Sequence, residues 1–202
     1  LNFLENHDEQ RIASAYFAGD ARKALPALVV SAMMGNNPFM VYAGQEIGEP
    51  GMEAEGFSGS DGRTTIFDYW SVKSLCKLTS EHIGNELSQT ETELYRFYKR
   101  VLTLCKSQPA LNNGAFYDLQ YANYDHDTGY NCDRNYAFIR KNSNGQTLLI
   151  VANFDAHAMH VGVRIPEHAF SAMSQRKAST PLLAQNSRIS AIFIHVDGMG
   201  EK

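Results

Sequence analysis

The residues best equipped for chemistry crowd into one short stretch, Glu5-Asn6-His7-Asp8-Glu9, with Arg11 just beyond it. The stretch follows the apolar run Leu1 to Leu4, so the polar set sits where a short strand ends. In a βα barrel, the C-terminal ends of the strands are where substrate meets side chains. A carboxylate beside an imidazole can stabilise developing positive charge and hold a sugar hydroxyl. That suits glycosyl transfer through an oxocarbenium-like transition state. The competing reading is structural, because Asn and Asp at a strand end also form turns and cap helices. A second polar pair, Gln45-Glu46, follows the apolar run Phe39 to Tyr42. Glu46 either lines the same cleft or is a hydrogen-bonded structural acid beneath it.

The elements that must position these groups fall into two textures. Leu25, Leu28, Val29, Ala32 and Met33 recur at helical spacing, and Pro26 either opens that helix in its first turn or kinks it. Gly35-Asn36-Asn37-Pro38 stops the helix, and Phe39 to Tyr42 reads as a short buried strand. A long loop through Gly51, Gly56, Gly59 and Gly62 follows. Ser88 and Glu91 form a capping box ahead of an amphipathic helix carrying Leu94, Phe97, Tyr98, Val101, Leu102 and Cys105, which Gln108-Pro109 ends. From about Asn112 the helical period disappears. Phe116–Tyr121, Tyr136–Arg140, Thr147–Asn153, His160–Ile165 and Ile189–Val196 read as strands separated by turns. The expected layout is the end of an α/β domain over residues 1–111 and an antiparallel β-domain over residues 112–202.

Two parallel strands cannot close a barrel and need cover on both faces. The cover is expected from upstream sequence or, for this chain alone, from self-association. The chain opens on Leu1 without an initiator Met or a signal-peptide layout, so it is expected to be a fragment or a processed product. Its location stays open between bacterial cytoplasm and cell envelope. A net charge of -4 gives no electrostatic footprint for nucleic acid or an anionic membrane, and no run is apolar enough to span a bilayer. Cys76, Cys105 and Cys132 lack metal-ligand spacing and are expected to be free, mostly buried thiols, with one disulfide as the alternative. Tyr124-Asp125-His126-Asp127 and Cys132-Asp133 read as solvated loop, so no metal site is assigned. The lone Trp70 either stacks on a sugar or covers the base of the barrel.

Phe3-Leu4-Glu5-Asn6-His7-Asp8 resembles the strand-seven motif of the α-amylase family of glycoside hydrolases. The stretch Gly35 to Gly48, with its proline turn, apolar strand and Gly44-Gln45-Glu46, is similar to that family's strand-eight motif apart from an extra Asn before Pro38. Asp61 to Trp70 is similar to a segment of many bacterial members, and Gln108-Pro109-Ala110-Leu111 to their approach to the C-terminal β-domain. The resemblance implies the C-terminal part of a (β/α)8 TIM barrel followed by an antiparallel β-sandwich, in a hydrolase of α-1,4-glucans that retains anomeric configuration. It implies that Asp8 stabilises the transition state and that His7 hydrogen-bonds the same sugar. Asn6 supports their geometry, and Arg11 is a further candidate for substrate contact. Starch or maltooligosaccharide is the implied partner. No cofactor belongs to the stretch in hand, and the resemblance leaves room for Ca2+ in the longer protein. The family's nucleophile and general acid lie on strands four and five, which match nothing here, so the chain alone is expected to be inactive. Transglycosylation, isomerisation or a non-catalytic glycan-binding role are the alternatives.

Overall fold

The computed structural model describes residues 1–51, 61–64, 73–79, 87–125, 128–174 and 189–194. Trp70, His82, His126, Asp127, His195, Gly56, Gly59 and most of the stretch from Asp61 to Trp70 lie outside them. Two compact units divide the chain: Leu1–Ser31 with Asn37–Thr103, and Ala32–Asn36 with Leu104–Lys202.

In the first unit, strands β1 (Asn2–Phe3) and β2 (Phe39–Met40) pair in parallel, Asn2 opposite Phe39 and Phe3 opposite Met40. A parallel pair needs a crossover connection, which runs through helix α1 (Leu25–Met33). Pro26 lies in the first turn of α1, where no intrahelical donor is lost. Ahead of it, Asp20 caps the 3-10 turn Ala21–Ala24, its Oδ1 accepting the Arg22 N–H at 2.9 Å. The strands are shorter than the apolar runs suggested. Past Met40 the chain turns inward, with the Tyr42 N–H donating to Gln45 Oε1 at 3.2 Å and the Gln45 N–H to the Tyr42 carbonyl at 2.9 Å.

Helix α2 (Lys73–Thr79) is tied to helix α3 (Gln89–Ser107) by a Lys77–Glu91 ion pair of 2.9 Å. The capping box at the start of α3 is reciprocal. Glu91 N–H donates to Ser88 Oγ at 3.2 Å, and Ser88 N–H donates to Glu91 Oε2 at 2.7 Å. One face of α3 buries Leu94, Tyr98 and Val101, the three- and four-residue spacing of a core-facing stripe.

The second unit opens with the short helix α4 (Pro109–Asn113), whose first residue is proline. Strands β3 (Ala115–Asp118), β4 (Asn135–Lys141), β5 (Thr147–Asn153) and β6 (Ile189–Ile194) form one sheet in that order. Inward residues Ala137, Ile139 and Val151 join Leu119 and Tyr130 in a core cluster. Arg140 is buried as well and donates to the carbonyls of Ala110 and Leu111, at 3.1 and 3.2 Å, and to the Asn36 side chain.

Two expectations about the strands are corrected here; the described residues of the second unit form this one sheet. The sheet is not wholly antiparallel: β3–β4 and β4–β5 are, but β5 and β6 run parallel. A parallel pair requires a long connection, and helix α5 (Glu167–Ser174) lies within the one between β5 and β6. Finally, His160–Ile165 forms no ladder. Its alternation survives as packing, since Val161, Val163 and Ile165 lie against the core cluster. Its backbone donors instead meet irregular partners, Gly162 N–H to the Thr128 carbonyl at 2.9 Å and Arg164 N–H to Asn123 Oδ1 at 2.7 Å. No disulfide joins the three cysteines, and Cys76 is exposed rather than buried.

Candidate functional site

The first unit brings the two sequence motifs to adjacent strand ends. Because β1 and β2 are parallel and in register, Glu5 to Asp8 and Tyr42 to Glu46 leave the same edge of the pair. Leaving β1, the chain buries Glu5 (2 % exposed) and then turns outward. The turn is made by Asn6, whose Oδ1 accepts the N–H groups of Asp8 and Glu9, each at 3.0 Å. His7 and Asp8 are thereby presented to solvent, with side chains 48 % and 73 % exposed and His7 Nε2 at 3.5 Å from Asp8 Oδ1. An exposed carboxylate and an imidazole held side by side can accept from and donate to the hydroxyls of one ligand.

The sequence reading missed what lies underneath. Glu5 Oε2 accepts from Arg11 Nη1 at 2.8 Å, and Glu5 Oε1 accepts the Ile12 N–H at 2.7 Å. Arg11, 1 % exposed, spreads its fork across three acceptors. Besides Glu5 it donates from Nε to Thr64 Oγ1 at 3.2 Å and from Nη2 to the Ala43 carbonyl at 2.7 Å. Its guanidinium carbon lies 4.2 Å from the centre of the Tyr42 ring, whose hydroxyl donates to the Thr64 carbonyl at 2.7 Å. The Arg11 N–H donates to the Gly62 carbonyl at 2.8 Å. Only glycine fits there, since φ is +78 and a Cβ would meet Ser14 Oγ at 2.0 Å.

Arg11 is therefore placed as a clamp between the strand ends, with three of its N–H groups committed inside the protein and the side chain buried. The signal available in the sequence was weak. Glu5 and Arg11 are six apart, which matches neither helical nor strand spacing, although each borders an apolar residue, Leu4 and Ile12.

Burial pushes the Glu5 carboxyl above its ordinary range, outweighing Arg11 and the Ile12 N–H, which pull it down; the charge of Glu46 adds to the rise. Glu49, 5 % exposed, is raised by burial too, against the pull of the Gly51 N–H and of Arg11. Glu46 sits in the 3-10 turn Gln45–Ile47, half-buried. Its Oε2 is buried without a hydrogen-bond partner among the described residues. Beside it, Gln45 Nε2 donates to the Tyr98 hydroxyl at 2.9 Å and fixes the turn to α3. Among the described residues no group of three or more His, Cys, Asp or Glu is arranged to hold a metal ion.

No protein-family model matches the chain, and no curated protein does. Among solved structures it is similar to AmyP in complex with maltose, at 20 % identity over 76 % of this chain and 30 % of that one, with a TM-score of 0.47. It is also similar to an aspartate-to-alanine variant of MutB in complex with glucose, at 21 % identity over 77 % and 34 % of the two chains, with a TM-score of 0.45. The chain thus spans about a third of the length of these proteins. The likeness concerns part of a fold and assigns no residue a role.

Proposed function

We propose that this chain contributes the subsite half of an α-glucan-active glycosidase, with Asp8 and His7 contacting the sugar next to the bond that is cleaved. The observation that carries this reading is the presentation of Asp8 and His7 at the end of β1, beside a parallel β2, over a buried Glu5–Arg11 pair. Polar side chains at the C-terminal ends of parallel strands are where such folds do chemistry. The Asp8 carboxylate would stabilise positive charge developing at the anomeric carbon, and His7 would donate to a hydroxyl of the same ring. Asn6 keeps the two at a fixed spacing through its turn, and Arg11 acts through the clamp rather than on the sugar.

Retention requires a nucleophile and a general acid about 5 Å apart across the bond. Neither role is assigned to a residue of this chain, so the activity belongs to a longer protein and the chain alone does not turn over. Titration with maltotriose, followed by the His7 imidazole signals in NMR, is the test of the subsite. The signals should shift on addition, and Asp8→Asn should weaken binding roughly tenfold or more, as losing a charged hydrogen bond does. Equal affinity in Asp8→Asn would sink the assignment. Release of reducing ends from soluble starch by the chain, above a buffer blank and absent in Asp8→Asn, would overturn the inactivity.

A further inference from the structure

On the second unit, three rings from three elements converge at the surface: Tyr117 of β3, Tyr121 of the 3-10 turn Gln120–Asn123, and His168 in the first turn of α5. The Tyr117 hydroxyl lies 2.6 Å from that of Tyr121 and 2.5 Å from His168 Nε2, and the Tyr121 hydroxyl lies 2.7 Å from the same nitrogen. The three edges of this triangle cannot all be hydrogen bonds. Two hydroxyls supply two protons, and Nε2 offers either one lone pair or one proton. The hydroxyl oxygens therefore keep acceptor capacity that a ligand rich in O–H donors could use.

The rings add a second kind of contact. Their centroids are 5.8 to 6.4 Å apart and mutually tilted or edge-on, so they form a corrugated aromatic surface, not a closed stack. Tyr121 is 47 % exposed. Tyr117 packs one side against the core cluster, which fixes its position. The surface is also preorganised from below. Asn123, 2 % exposed, donates to the carbonyls of Leu119 and Arg164 at 2.8 and 3.1 Å and accepts the Arg164 N–H, stapling the Tyr121 turn to the segment that enters α5. The Tyr117 phenol is pushed up to about 12 by burial and by Tyr121. Fixed aromatic faces with polar rims match a pyranose, which offers an apolar C–H face and a rim of hydroxyls.

We propose that Tyr117, Tyr121 and His168 form a second saccharide-binding surface, which takes an α-glucan chain through ring stacking on Tyr121 and hydroxyl contacts to all three side chains. The choice of an α-glucan rests on the function proposed above; the surface itself does not.

The test is calorimetric titration of the 202-residue chain with maltoheptaose and, separately, cellohexaose. Maltoheptaose should bind wild type and Asp8→Asn at this surface alike, and Tyr121→Ala should weaken that binding roughly tenfold. Tyr121→Phe keeps the ring and loses the hydroxyl, and should weaken it roughly two- to fivefold. Should Tyr121→Ala lose structure by circular dichroism, Tyr121→Phe and His168→Gln carry the test. Maltoheptaose binding that is indifferent to these Tyr121 and His168 substitutions, or that vanishes entirely in Asp8→Asn, overturns the second surface, as does binding of neither glucan. Binding of cellohexaose alone, abolished by Tyr121→Ala, would keep the saccharide surface and overturn the α-glucan reading.

Discussion

Truncating Arg11 to alanine asks whether the pair beneath the strand ends holds the site together. Arg11 and Glu5 are 1 % and 2 % exposed, so water cannot replace what is lost. The substitution strands the Glu5 carboxylate and deprives the Ala43 carbonyl and Thr64 Oγ1 of their donor. Breaking a buried pair from one side costs about 3–5 kcal/mol, against a total stability of about 5–15 kcal/mol for a domain. Urea denaturation at pH 7 should show a loss of that size. The loss should shrink near pH 4.5, because a protonated Glu5 no longer needs a cation. Removing both charges, as Glu5→Gln with Arg11→Met, should recover most of it, since isosteric replacement of buried pairs is often close to neutral. A loss below about 1 kcal/mol, the value of an exposed pair, would refute the reasoning.

Two further outcomes follow from other buried and capping groups. Ser88→Ala removes one arm of the capping box on α3 and should cost about 1 kcal/mol, read from the urea midpoint. Glu49→Gln tests the sign of a burial effect. Because the folded Glu49 carboxyl is raised above its ordinary value of 4.5, its stability contribution is full below that value and lost as pH rises through the folded one. The glutamine keeps an acceptor for the Gly51 N–H, which lies at 3.0 Å from Glu49 Oε1. It should therefore melt higher than wild type at pH 7 and level with it at pH 4, and a difference that does not change with pH would contradict the assignment.

Much of the local structure was legible because it is written in local terms. The capping box at Ser88 and Glu91, the stripe of Leu94, Tyr98 and Val101, and the end of α3 before Gln108-Pro109 all came from spacing, whereas the short helix that Pro109 opens was not expected. Strand Thr147–Asn153 matched its expected bounds. What failed was partnering. Val161, Val163 and Ile165 alternate as a strand should, but alternation reports a buried face and not a ladder. The connection to the parallel strand β6 contains α5, whose Glu167 to Ser174 stretch falls where only strands and turns were expected. In the candidate site, Asn6, His7 and Asp8 were legible as a motif. The buried role of Glu5 was not, because its six-residue spacing to Arg11 fits neither helix nor strand. The turn at Asn6 separates Glu5 from Asp8, leaving Glu5 buried behind it and Asp8 exposed beyond it.

The buried and the exposed carboxylate divide the labour of the site. An exposed carboxylate on a turn gains little fixed direction from its own contacts, and among the described residues the Asp8 carboxylate has a 3.5 Å approach to His7. Its placement is inherited from the turn at Asn6, and the turn from the closure of Glu5 onto Arg11 and Ile12. Arg11 then carries the constraint across to the second motif through the Ala43 carbonyl and the Tyr42 ring. A lysine could not do this, because one ammonium on a flexible stem cannot reproduce a planar fork shared among Glu5, Thr64 and Ala43. The residue that does the most for the geometry of Asp8 is thus one that a sugar bound at Asp8 would not touch.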